Sequence, residues 1–394
     1  MSLRNTTWPN TLRRFMVLWW SLSLAAISLA AQTLTVLHGF SDSDGDSPFA
    51  SVVIDPAGNL YGVTRLGGPA KQGVVFMLDP SGHETVLHTF SGSDGAFPWG
   101  GLLRDSAGNL YGTTQNGGSA NLGVVFKIDS SNHYTVLHNF VDASGGNPLA
   151  GLIADAAGNL YGTAASGGSR RFGVIFKINK TTNNYTELYS FNNKDGSGPR
   201  AALIMDDAGN LYGTTERGGV SGMGVVFQLD TSNHLNVLHS FNEMDGSHPY
   251  GGLIMDNRGY LYGTTVDGGP NFQGVVFRVG VDSDLQVLYS FSRGTPSEAL
   301  NGINPWAGLA MDQDGDLFGV TLYGGEELGS GYGVVFEIDR GNNYKVIHRF
   351  TLDDGFRPAA ALIMDAGGNL YGTTVGGGPG RAGEVYKINC PECF

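Results

Sequence analysis

Apolar and polar positions in this chain alternate in short runs, not in the long 3.6-residue stripes of amphipathic helices. Residues 201–206, 210–215, 224–230 and 235–241 show the pattern. Each run is rich in β-branched and aromatic residues and is bounded by Gly, Asp, Asn or Ser, which reads as four short strands joined by turns. We label them A to D, from the centre of the fold outwards. No long stretch has a helical apolar period, so the pattern predicts an all-β chain.

The unit recurs seven times. Its hallmark, Gly-Asn-Leu-Tyr-Gly-Thr-Thr with variations, begins at Gly58, Gly108, Gly158, Gly209, Gly259, Gly315 and Gly368, at spacings of 50, 50, 51, 50, 56 and 53 residues. Four short strands every ~50 residues match one blade of a β-propeller. The ends predict how the ring closes. The first run, residues 33–40, carries the D pattern Val36-Leu37-His38-Gly39-Phe40, while the last unit has A, B and C but no D. Pairing the surplus strand with the deficient unit gives a seven-bladed propeller of four antiparallel strands per blade, with no open sheet edge.

Composition adds three points. Charged residues are 15% against ~25% in ordinary globular chains, and there are 62 glycines, so polar turns carry much of the solubility. Arg4, Arg13 and Arg14 precede an apolar run from Phe15 to Ile27 and a small-residue exit at Ser28-Leu29-Ala30-Ala31. This predicts a signal peptide over residues 1–31 and export, with no membrane span in the rest. The first 31 residues hold three of the 23 basic groups and none of the 36 acidic ones, so the remainder has 20 basic and 36 acidic residues, a net −16. With no basic stripe, nucleic acid is excluded as a partner. The propeller is assigned to residues 32–389 and a short tail to 390–394, where Cys390 and Cys393 could close a small disulfide loop in an oxidising compartment.

The core of the repeat, as in Ala157-Gly158-Asn159-Leu160-Tyr161-Gly162-Thr163, Gly167-Gly168 and Gly173-Val174-Ile175-Phe176-Lys177-Ile178, resembles the GloVer tandem repeat of bacterial "choice-of-anchor" exported proteins. The resemblance covers roughly residues 33–389. It implies an exported protein, often anchored through a C-terminal signal, and brings no catalytic residues. No such tail follows the last strand here, so an unanchored protein is expected.

Several motifs have structural explanations. The Asp-x-x-Gly-Asn turn between A and B uses Asp to cap the backbone and Gly to reach φ > 0. Gly-Gly pairs open the B–C loop as tight turns. His38, His88, His138, His239 and His348 recur in strand D, with Tyr189 and Tyr289 in the equivalent places. Alternation puts Val36, His38 and Phe40 on one face, so these rings are expected to pack between blades. Two acidic loops, Asp42/Asp44/Asp46 and Asp312/Asp314/Asp316, are weak calcium candidates, because their glycine sits at the fourth position and no acid follows at the twelfth. No cofactor is otherwise expected.

Propeller connectivity places the D–A and B–C loops on one face. Variation collects there. The residue after each D–A proline is Phe49, Trp99, Leu149, Arg200, Tyr250, Trp306 or Ala359, and these should ring the channel mouth. Blade six has a D–A loop six residues longer than its counterparts and a B–C loop three residues longer, bringing Glu298, Asn301, Trp306, Glu326, Glu327 and Tyr332 towards one neighbourhood. The leading expectation is a monomeric, non-catalytic binding protein that recognises a carbohydrate or protein through Phe49, Trp99, Arg200, Tyr250, Trp306 and Tyr332. A lyase or glycoside-active enzyme using Glu298, Glu326 or Glu327 is the alternative, and a structural envelope protein without a ligand is the third reading.

Overall fold

The computed structural model describes residues 32–280, 284–293, 300–326 and 331–390. They form seven antiparallel sheets, each with four strands in the order A-B-C-D and that of blade seven with one short strand more, arranged as a seven-bladed β-propeller. In blade three, for example, A is Ile153–Ala154, B Leu160–Ala164, C Val174–Ile178 and D Tyr185–Ser190. Blade seven is completed by the N-terminal strand. Thr33–Gly39 pairs antiparallel with Glu384–Asn389, from Thr33 opposite Asn389 to Gly39 opposite Glu384.

The hallmark sequence follows from local chemistry. Asp55 is the hub of the A–B turn of blade one. Its Oδ1 accepts the backbone N–H of Ala57 and of Asn59, each at 2.9 Å, and its Oδ2 accepts Asn59 Nδ2–H at 2.9 Å and the Tyr61 hydroxyl at 3.1 Å. The hallmark glycine leaves room for an aromatic ring. Gly162 pairs across the sheet with Phe176, and a Cβ on it would lie 2.7 Å from the ring tip. The first hallmark threonine reaches the next blade: Thr113 Oγ1 donates to the Ala150 carbonyl at 2.8 Å. The second, Thr114, donates to the Asn116 carbonyl and accepts the Val124 N–H, which ties B to the start of C.

Packing energy is concentrated at the seams. Each of the seven hydrophobic clusters spans two adjacent blades. At its centre the last residue of one D run meets the C-strand aromatic of the next blade edge to face, as in Phe140–Phe176 with centroids 5.3 Å apart and planes at 69°. All seven seams carry this pair, and at the closing seam it is Phe40 on Phe76 at 5.0 Å.

Strand D contains a feature that alternation does not predict. Every blade has a β-bulge between C and D. In the N-terminal strand Val36 faces Tyr386 and His38 faces the adjacent Val385, leaving Leu37 as the extra residue. Val36 and His38 therefore point to opposite faces, which corrects the expectation of a single face, because the inserted residue resets the period. The D-strand rings do pack at the seams. His88 stacks on Tyr134 of the next blade at 3.8 Å, and its Nε2 lies 3.0 Å from Asp94 Oδ2. Tyr189 donates its hydroxyl to Asp195 in the same way at 2.6 Å. Both side chains can supply a proton to that loop aspartate, and this explains why His and Tyr alternate there.

Blade seven departs from the others in strand C. Glu384 stands where the other blades have valine, is fully buried, and neither carboxylate oxygen has a hydrogen-bond partner. Burial, with the Asp354 charge, pushes its carboxyl up to about 8. Tyr386, also fully buried, replaces the C-strand phenylalanine and has an unpartnered hydroxyl.

Three outcomes test this account. Phe176→Ala is expected to cost about 3–5 kcal/mol in urea unfolding, by emptying the centre of a seam. Asp155→Ala is expected to cost about 2 kcal/mol, since Asn159 and Tyr161 lose their acceptor. Burial raises the Asp155 carboxyl, but the hydrogen bonds from Asn159 and Tyr161 outweigh it and hold the group below its ordinary value. Its contribution is thus present above pH ~4 and lost as pH falls through the folded value, so wild type and variant should converge in acid. Glu384 has the opposite sign. Its folded value lies above the ordinary 4.5, so stability is lost as pH rises from 4.5 towards 8. Glu384→Val is therefore expected to stabilise the fold more at pH 8 than at pH 5, by roughly 3–5 kcal/mol in urea unfolding.

Candidate binding site at the channel mouth

The D–A loops are held by backbone alone. The residue before each proline is a left-handed one: Ser47, Phe97, Asn147, His248, Asn304 and Arg357 have φ between 54° and 57°, and Gly198 has 64°. Its N–H donates to the B–C loop of the preceding blade, as in Phe97 N to Gln72 O at 2.9 Å. Its carbonyl accepts from the residue after strand B of its own blade, as from Gln115 N at 3.1 Å. In blade seven this second pairing extends into a strand, Phe356–Pro358. The proline then fixes φ and seats on the glycine that starts strand C of the preceding blade. A Cβ on Gly123, at φ +97°, would lie 2.7 Å from Pro148 Cδ. The clamp leaves the side chain of the following residue to face the axis.

All seven post-proline residues line one cavity of about 270 Å³ around the axis. Further in, the blades approach too closely for larger side chains. Ser51 Oγ donates to the Ala361 carbonyl at 2.8 Å, and a Cβ on Gly151 would lie 2.8 Å from Gly101 O. The mouth is a bowl with a varied rim above a tier of small residues.

Two groups dominate the rim. Phe49 and Trp99 stack at 4.6 Å, and the Arg65 guanidinium lies 4.8 Å from the Trp99 ring and 5.9 Å from Phe49. Those distances set Arg65 beside the pair rather than across the second Trp99 face. Arg65 is partly buried, its Nε has no hydrogen-bond partner, and it makes no ion pair among the described residues. On the other group Tyr250 and Trp306 lie 4.3 Å apart. Buried Glu216 pairs with Arg200, with Arg217 at 3.2 Å, and accepts the Tyr250 hydroxyl at 2.9 Å. Burial and the Glu216 charge push the Tyr250 hydroxyl up to about 12.

Arg65 and Glu216 were missed in the sequence. Both follow the last B-strand threonine, where the seven blades carry Arg65, Gln115, Ala165, Glu216, Val266, Leu322 and Val375. A varied position directly after a constant motif was the available signal.

The remaining candidates lie elsewhere. Tyr332 is not among the residues lining the bowl and sits beside Phe356 at 6.3 Å. Asn301 is tied to the D strands, donating to the Tyr289 hydroxyl and accepting the Tyr344 hydroxyl. Glu326 is partly buried, while Glu298 and Glu327 lie outside the described residues. The acidic loops do not converge on a common point. Asp42 pairs with Lys71, Asp44 accepts the Ser41 N–H at 2.8 Å, and Asp46 accepts the Ser47 hydroxyl. Asp312 accepts the Asp316 N–H, and Asp316 accepts the Arg340 N–H, with burial and the neighbouring acids raising Asp316. Asp312 also lines a cleft of about 530 Å³ between blades five and six, together with Arg258, Arg278 and Arg340. Asp314 is not among its lining residues. Cys390 is buried and disulfide-bonded, and Cys393 lies outside the described residues, as do residues 1–31. Among the described residues no helix is long and apolar enough to cross a membrane.

Comparison with known proteins bears on the fold and the repeat. No curated protein sequence matches the chain. Among solved structures it is similar to the extracellular domains of two hybrid two-component systems from B. thetaiotaomicron. Each is 12% identical and aligned over 91% of this chain, with TM-scores of 0.61 and 0.57. The chain spans 39% and 41% of those structures, and the likeness is one of fold. In sequence, residues 23–221, 132–303 and 199–392 match the Gloeobacter/Verrucomicrobia repeat, and the chain belongs to that repeat family.

Proposed function

We propose that this protein is an exported, non-catalytic binding module that takes a carbohydrate or a protein segment at the channel mouth. The observation that carries the reading is the meeting of all seven varied post-proline residues in one bowl, with Trp99 and Trp306 among them. Aromatic faces beside polar groups suit sugar rings and planar side chains, and a few such anchors supply most of the binding energy. Arg65 adds a positive charge that has no ion-pair partner among the described residues, so ligands with a carboxylate or sulfate are favoured over neutral ones. Export is supported by the N-terminal segment of the sequence, and it is in keeping with the extracellular setting of the two B. thetaiotaomicron domains. The protein acts as a monomer.

A glycan and peptide array tests the reading. Binding should be found, and Trp99→Ala or Trp306→Ala should weaken it about 10- to 100-fold, roughly 1.4–2.8 kcal/mol. Tyr332→Ala should leave it unchanged. Binding that is indifferent to both tryptophans would move the site away from the mouth.

A further inference from the structure

The seam where the ring closes differs from the other six. At the position where strand D pairs with the fifth residue of strand C, the other blades carry Tyr134, Tyr185, Leu235, Leu285, Tyr344 and Leu34. Three of these tyrosines stack on the D-strand ring of the preceding blade. Blade one instead has Glu84, opposite Leu78. Its carboxylate faces His38 of the N-terminal strand, with Oε2 3.9 Å from Nε2. Asp44, from the loop that leaves this strand, brings Oδ2 to 3.4 Å from the same nitrogen.

We propose that His38, Asp44 and Glu84 form a binding site for a divalent transition-metal cation of the zinc type, which ties the N-terminal strand to blade one. One ligand atom from each residue lies within 4.8 Å of the other two. Around a tetrahedral zinc with bonds of about 2.0–2.1 Å, ligand atoms stand roughly 3.3–3.4 Å apart, so a small shift of the Glu84 side chain completes the geometry and leaves the fourth position to water. One imidazole and two carboxylates are borderline donors. Calcium, which takes six to eight oxygens, is poorly served by them.

An independent observation points to a missing ligand. The Glu84 side chain is only 10% exposed, and its Oε1 has no hydrogen-bond partner. His38 Nε2 is likewise buried without a well-formed hydrogen bond. The nearby cation, Lys71, is engaged by Asp42. A carboxylate buried without a partner is costly, and a cation at this point would satisfy it together with the imidazole.

Titration of zinc chloride into the chelator-treated chain, by calorimetry and by thermal melting, tests the site. One equivalent should bind and raise the melting temperature by several degrees. Glu84→Leu installs the residue that blades four and five carry at this position, so the fold is kept. Zinc affinity should then fall on the order of 100-fold or more, and the thermal shift should vanish. His38→Tyr, the D-strand residue of blades three and five, should do the same. Absence of zinc binding in the wild type overturns the proposal. So does binding that survives in both variants, as the exposed pairs His133–Asp129 and His234–Asp230 alone would give.

Discussion

The propeller depends on the edge-to-face contact between the last aromatic of one D run and the C-strand aromatic of the following blade. A four-stranded blade cannot bury either of its faces alone, and here the apolar area is sealed only where two blades meet. The contact recurs at every seam, with centroid distances of 5.0 to 5.4 Å. Aromatic pairs of this geometry add roughly 0.5–1.5 kcal/mol beyond burial. The hallmark glycine serves the same contact, since it clears the space above the C-strand ring.

A ring of seven seams is only as cooperative as its weakest one. The N-terminal strand contributes to both seams of blade seven, through Leu34 on one side and Phe40 on the other. Two buried carboxylates, Glu84 and Glu384, lie in or beside this blade and replace apolar or aromatic residues of the other copies. Neither is explained by packing. Their placement at the closing blade makes the stability of closure sensitive to pH.

Much of this was legible in the sequence. Blade number and strand order are repeated local signals, and ring closure follows from counting strands at the two ends. The turn aspartates were readable because Asp, Gly and Asn act within a few residues of each other. The bulge was not, because Leu37 is apolar like its neighbours and an extra residue leaves no mark in composition. That the D-strand rings pack between blades was legible, but the partner ring was not, since Phe40 and Phe76 belong to different repeats and meet only in the closed ring. Glu84, Glu384, Arg65 and Glu216 form a third class. Each is a charged exception in its column of the seven copies, but a single charge in one copy leaves repeat length and turn pattern unchanged and so gives a weaker signal than an insertion. The channel mouth was anticipated from proline spacing, whereas the neighbourhood expected around blade six divides between the bowl, the D strands and Phe356.

The clamp at the D–A loops explains why variation is tolerated at the mouth. It uses backbone N–H and carbonyl groups on both sides, so Phe97, His248 and Arg357 hold the same φ within a few degrees. Substitution there and at the post-proline residue costs the fold little, and variety alone is therefore weak evidence of a site. The stronger evidence is what folding does not require. The buried Nε of Arg65, which has no acceptor, is unfavourable in a finished fold. Tryptophan in a rim that also accepts leucine and alanine is not needed for packing. Features that lower stability and cluster on one concave surface are those a ligand would compensate, and this distinguishes the bowl from the polar cleft between blades five and six.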